Sequence, residues 1–156
     1  MDNLLPNCFS IKNKQFLIQF ISRKIIEHKP FFMNCIDLYS GIGGWILGMK
    51  LAGLHHLSSF EWNPESNLTH NINFGTKNRE TNIREINLAD LPAPGSVDIV
   101  VGSPPCIQFS YANRGGKGNI EDGLVDIHKF LSIIQYLKPK HWAMENVPRV
   151  KDTIIL

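Results

Sequence analysis

The sequence predicts an α/β fold, a mostly parallel sheet with helices on both faces. Three observations carry that prediction. Apolar, β-branched runs alternate with segments of helical periodicity in the order strand, helix, strand, helix, strand, strand, helix, strand. A glycine turn, Tyr39-Ser40-Gly41-Ile42-Gly43-Gly44, joins the first strand to the helix after it. The unusual polar clusters each fall just after a strand, so they should converge on one edge of the sheet, where parallel sheets bind ligands. Length and composition agree. The 156 residues suit one domain, or one domain with an arm. With 16 Lys+Arg against 14 Asp+Glu the net charge is +2, which excludes a polybasic arm or an acidic tail.

In chain order, residues 1–30 read as an N-terminal helical arm and residues 31–156 as the main domain. Leu17, Ile21 and Ile25 recur at i, i+4, i+8 with Ile18 beside them, and Pro30 closes that helix. Phe31 to Leu38 is an apolar strand. The glycine turn follows, then a helical pattern of Trp45, Ile46, Leu47, Met49, Leu51 and Leu54, with Gly53 marking the helix end. Leu57 to Phe60 is a short strand leading to Glu61-Trp62. Asn63-Pro64 opens a helix that Gly75 stops. Asn82 to Ile86 reads as a weak strand and Val97 to Val101 as a strong one. Gly123 to Leu137 is helical up to Lys138-Pro139, and His141 to Met144 is a last strand. No apolar run reaches the ~18–20 residues of a membrane span. The start has no basic segment followed by an apolar one, so a cytoplasmic chain with no membrane partner is expected. Three cysteines, Cys8, Cys35 and Cys106, without CxxC spacing, argue against a disulfide framework and a structural zinc site, and no metal is expected.

The glycine turn gives the sheet a Rossmann-like character. Small residues let a ligand approach the backbone, and the helix start offers free N–H groups. Glu61 ends the next strand, where a carboxylate can accept both hydroxyls of a ribose. Ile46 stands where a GxGxxG pattern would place its third glycine, which disfavours a nicotinamide cofactor. Asp37, inside the first strand, is expected to hold the glycine loop through backbone N–H groups.

Two further clusters carry chemistry. Ser103-Pro104-Pro105-Cys106 follows the strongest strand, and two prolines fix the backbone ahead of a single thiol. Cys35, in an apolar strand, reads as a small buried hydrophobe instead. Arg114 and Lys117, in a glycine-rich loop, could lower the Cys106 pKa or hold phosphate. Glu145-Asn146-Val147-Pro148 follows the last strand. A carboxyl there can be partly desolvated and so retain a proton to donate.

Together these clusters resemble the DNA (cytosine-5) methyltransferase family. Asp37 to Gly44 resembles its cofactor turn, Glu61-Trp62 its ribose-binding acid and adenine-stacking aromatic, and Asn82-Ile83 the pair that meets the adenine amino group. Pro105-Cys106 with Phe109-Ser110 resembles the nucleophile motif, and Glu145-Asn146-Val147 the ENV motif. Two positions depart: Ile107 stands where the family usually has glutamine, with Gln108 one residue later, and Asn82 replaces an acid. The resemblance implies a partial catalytic domain over residues 31–156 using S-adenosyl-L-methionine. Cys106, Glu145 and Asn146 would be catalytic. Tyr39, Ser40, Gly41, Gly43, Gly44, Glu61, Trp62, Asn82, Ile83 and Pro104 would bind cofactor. Ser110, Arg114 and Lys117 would contact DNA. The family continues with a recognition region and a closing helix, so the fold is expected to be incomplete relative to the full methyltransferase domain and the chain inactive alone. A non-enzymatic remnant, one subunit of a split enzyme with a second chain carrying the recognition region, and a nicotinamide-dependent oxidoreductase are the alternatives.

Overall fold

The computed structural model describes residues 32–76, 78–111 and 118–154. The N-terminal arm, Cys8, Arg114 and Lys117 lie outside the described residues. Five strands, β1 (Asn34–Leu38), β2 (His55–Glu61), β3 (Arg79–Glu80), β4 (Ile99–Gly102) and β5 (His141–Met144), form one sheet in the order β3-β2-β1-β4-β5. Every pairing is parallel. The chain leaves β1 toward β2 on one side and later returns to β4 on the other. The crevice beyond the carboxyl ends of β1 and β4 is therefore the topological switch point.

Strand alternation sorts the core into two layers. Ile36, Leu38 and Val100 face α3 (Ile120–Leu137), where Phe130, Ile133 and Leu137 are fully buried. Cys35, Ile99 and Val101 face the other way, onto Ile46 and Met49 of α1 (Gly44–Leu51). Helices thus cover both faces. Caps set the helix ends. Asn63 accepts from the Ser66 N–H at the start of α2 (Pro64–Phe74), and Gly75 closes α2 at φ 64°. Asn119 accepts from the Asp122 N–H, so α3 begins three residues earlier than expected, at Ile120.

Two expectations change. Asn82 to Ile86 is not a strand. The Asn82 side chain accepts from the Arg84 N–H, which winds Ile83–Glu85 into a single 3-10 turn, and edge pairing occurs earlier, at Arg79–Glu80. The strand before Ser103 begins at Ile99 rather than Val97, because the Asp98 carboxylate accepts the Asn34 N–H. A short helix, α4 (Arg149–Ile154), follows the last polar cluster without having been anticipated.

Candidate active site

One row of paired residues crosses the sheet: Arg79, Phe60, Leu38, Gly102, Met144. The polar clusters begin one residue beyond this row, at Glu61, Tyr39, Ser103 and Glu145. The register therefore delivers all four polar clusters to one level of one edge.

The glycine turn is built from backbone hydrogen bonds and one carboxylate. Gly43 N–H donates to the Ser40 carbonyl at 3.0 Å, and Ser40 N–H to that of Phe60 at 3.1 Å. Tyr39, Gly41 and Gly43 all have positive φ. Gly41 faces open space. Gly43 does not: a Cβ there would lie 2.2 Å from the Phe74 ring and 2.9 Å from His70, so this glycine is required for α1 to pack on α2 rather than for ligand approach. Glu61 is the anchor. Its carboxylate accepts Gly41 N–H and Asn63 N–H, both at 2.8 Å, and the residue is 7% exposed. A carboxylate has about four acceptor sites, so two remain on Glu61 for hydroxyl donors.

Asp37 does not hold the glycine loop, contrary to expectation. It is completely buried and neither carboxylate oxygen has a hydrogen-bond partner among the described residues. Its side chain leaves β1 on the α1 face, and the Gly41 N–H of the loop is taken by Glu61 instead. Burial, reinforced by the nearby Glu61 charge, holds its pKa well above the usual carboxylate range.

A cleft of about 240 Å³ opens beside the turn. One wall carries Tyr39, Glu61, Trp62, Asn82 and Ile83, and the other carries Pro105, Ile107 and Gln108. Trp62 is exposed at the rim, and Asn82 spends its amide on local bonds, to Arg84 N–H and Glu85. Pro104 is not in this wall. It is buried, and its carbonyl accepts from the Asn146 amide at 2.9 Å. Asn146 thus ties the segment after β5 to the loop ahead of Cys106.

Cys106 is exposed, and its own carbonyl accepts from Phe109 N–H and Ser110 N–H in a tight turn. Phe109, fully buried against Ile127 and Val150, pins that turn. Trp45 Nε1 donates to Ser103 Oγ at 2.9 Å, binding α1 to the same loop. Cys35 is the buried cysteine that was expected. Its thiol is pushed up to about 12, chiefly by desolvation. Glu145 is exposed where partial burial was expected, and its N–H donates to the Gly102 carbonyl. Sequence reasoning missed Arg84, Asp122 and Asp126, which close the floor of the cleft. The available signal was an acid, Asp126, on the stripe of α3 that otherwise buries Ile127 and Phe130.

A sequence profile of C-5 cytosine-specific DNA methylases matches residues 33–153. The chain belongs to that family. It is 36% identical over 132 residues to the type II methyltransferase M.HindV of Haemophilus influenzae, covering 80% of this chain and 40% of that one. It is 36% identical over 123 residues to M1.HphI of Haemophilus parahaemolyticus, covering 76% and 33%. Among solved structures, a prophage-encoded DNA modification methyltransferase from E. coli superposes with a TM-score of 0.60 at 28% identity, over 76% of this chain and 33% of that one. The chain therefore spans a third to two fifths of the length of these relatives. No helix among its described residues is long and apolar enough to cross a membrane.

Proposed function

We propose that these residues form the cofactor-binding and nucleophile-bearing part of a DNA cytosine-5 methyltransferase. The register row supports this most directly. It brings the glycine turn, Glu61, the Cys106 loop and Glu145 to one sheet edge, as cytosine methylation requires. The donor set fits a methyl-donating nucleoside. Gly41 leaves open space for a ligand to approach, Glu61 retains acceptor capacity for ribose hydroxyls, and Trp62 offers an exposed ring for an adenine. S-adenosylmethionine, when bound, supplies an electrophilic methyl group.

The protein's own groups would then act on a cytosine flipped out of the duplex. The Cys106 thiolate adds to C6, and the ring electrons move toward C5 and N3. Glu145 donates a hydrogen bond or proton at N3, so the ring accepts that charge. After methylation of C5, loss of the C5 proton expels the thiolate and restores the ring. Ser110, with Arg114 and Lys117, is proposed to contact the DNA. Because the chain spans only part of its relatives, methyl transfer by these residues alone is not expected. It would need the remaining length of a family member, in the same polypeptide or a second one.

Calorimetry with S-adenosylhomocysteine tests the reading. Binding is expected, and Glu61→Ala should weaken it by about 1.5–3 kcal/mol, the loss of charge-assisted ribose bonds. Tighter binding of a nicotinamide dinucleotide in the same titration would overturn the assignment.

A further inference from the structure

Arg84 and α3, distant in sequence, meet in the cleft through one guanidinium, and the glycine turn and the Cys106 turn reach the same two aspartates. Arg84 Nε and Nη2 grip the Asp126 carboxylate at 3.0 and 2.7 Å, a two-pronged pairing. Its Nη1 donates to Asp122 Oδ1 at 2.8 Å and its Nη2 to the Asp122 carbonyl at 3.1 Å. The Asp126 side chain is 6% exposed, so this is not a loose surface pair. Tyr39, at the start of the glycine turn, donates its hydroxyl to Asp126. On the other side, Gln108 Nε2 donates to Asp122 Oδ2 at 3.0 Å, while Gln108 Oε1 accepts Asn119 N–H at 2.9 Å. Gln108 lies two residues past Cys106. Gly118 packs so tightly on it that a Cβ would fall 2.1 Å from the Gln108 carbonyl.

We infer that Asp122 is a shared positioning residue: one carboxylate oxygen braces the Asn82–Arg84 wall of the cofactor cleft, the other braces the turn that carries Cys106. Through Tyr39–Asp126–Arg84–Asp122–Gln108 an unbroken line of hydrogen bonds joins the two halves of the site. Gln108, one place later than the glutamine usual in the family, points its amide into α3. The inference rests on the function proposed above for its meaning, but the link between Arg84 and the Cys106 turn is a property of the fold.

The test uses the full chain with two variants, Asp122→Asn, which keeps the shape, and Gln108→Ala, which cuts only the branch to the Cys106 turn. Three readouts are taken: S-adenosylhomocysteine affinity by calorimetry, the rate of iodoacetamide alkylation at Cys106 read on its own peptide by mass spectrometry, and the urea midpoint. Gln108→Ala should change the alkylation rate by about threefold or more, the readout of the branch to the Cys106 turn. Asp122→Asn should change alkylation similarly and also weaken cofactor binding about fivefold or more. A merely structural role would lower the urea midpoint and leave both other readouts in place. An Asp122→Asn chain whose Cys106 alkylation matches wild type overturns the inference, whether or not cofactor binds. A wild-type chain that binds no cofactor overturns the proposed function alone, and the alkylation comparison still decides this one.

Discussion

Asp37→Asn should stabilise the protein at neutral pH and remove most of a pH dependence that the wild type carries. Asp37 is fully buried in the middle of the sheet, its oxygens have no partner among the described residues, and Glu61 adds like charge nearby. Its carboxyl therefore keeps its proton in the fold at pH values where the unfolded chain, with a pKa of about 3.9, has lost it. A folded-state pKa raised in this way gives stability that is fully present below the unfolded value and is lost as pH rises toward the folded one. The slope is about 1.4 kcal/mol for each pH unit in that window. Asparagine has the same shape and no charge, so the variant escapes this loss. It still buries an amide, which limits the gain near pH 4 to about zero. Urea unfolding of both proteins at pH 5, 6, 7 and 8 supplies the measurement. The two stabilities should diverge steadily with rising pH, the variant ahead. Parallel curves, or a variant less stable than wild type at pH 7, would refute the reasoning and show Asp37 to be an ionised, partnered carboxylate.

Other outcomes follow from the same geometry. Gly43→Ala should lower the melting temperature more than Gly41→Ala: both sites have positive φ, a strain of about 1–2 kcal/mol, but only at Gly43 does the new methyl meet Phe74 and His70; equal losses would contradict the packing role. His56 is held down to about 4 by burial, with His70 and Lys50 adding to it. Its stabilising contribution is present above the ordinary value of about 6.5 and is lost as pH falls toward the folded value, by about 1–2 kcal/mol after allowance for its partial exposure. His56→Gln in the Asp37→Asn background should flatten that acid-side slope in urea unfolding, and an unchanged slope would count against it. Asn119→Ala should cost about 1 kcal/mol through the lost cap on α3, read as a drop in the thermal midpoint.

The architecture was legible because its signals are local. Strand β5 needed only a short run with three half-buried residues ended by a polar cluster, and α3 only an apolar stripe ended by Lys138-Pro139. Where the reading slipped, a side chain had replaced a backbone partner. Asn82 turned an expected strand into a 3-10 turn by accepting Arg84 N–H, and Asp98 took the Asn34 N–H, so that the strand starts at Ile99. Such substitutions depend on which segment lies opposite, and sequence periodicity carries no record of that. The two-residue β3 shows the same limit, since its pairing is set by the end of β2 rather than by its own composition.

The site divides along a similar line. Residues whose chemistry is fixed by type, the thiol of Cys106 and the carboxylates of Glu61 and Glu145, could be picked out because each follows a strand. Their division of labour could not. Asp37 and Glu61 are both acids at strand ends, and the sequence alone suggested that the first would hold the glycine loop and the second a ribose. The fold separates them by place along the sheet: Asp37 lies one residue before the paired row and is fully buried, whereas Glu61 lies one residue beyond it with one oxygen on the Gly41 N–H. On the proposed function Glu61 would do both tasks, shaping the turn with one set of lone pairs and meeting a ligand with the other. Loss of its carboxylate would disturb the shape of the cleft as well as remove a contact. Glu61→Gln, which keeps one acceptor oxygen, should then retain more cofactor affinity than Glu61→Ala, and equal losses would mean that only the charge matters.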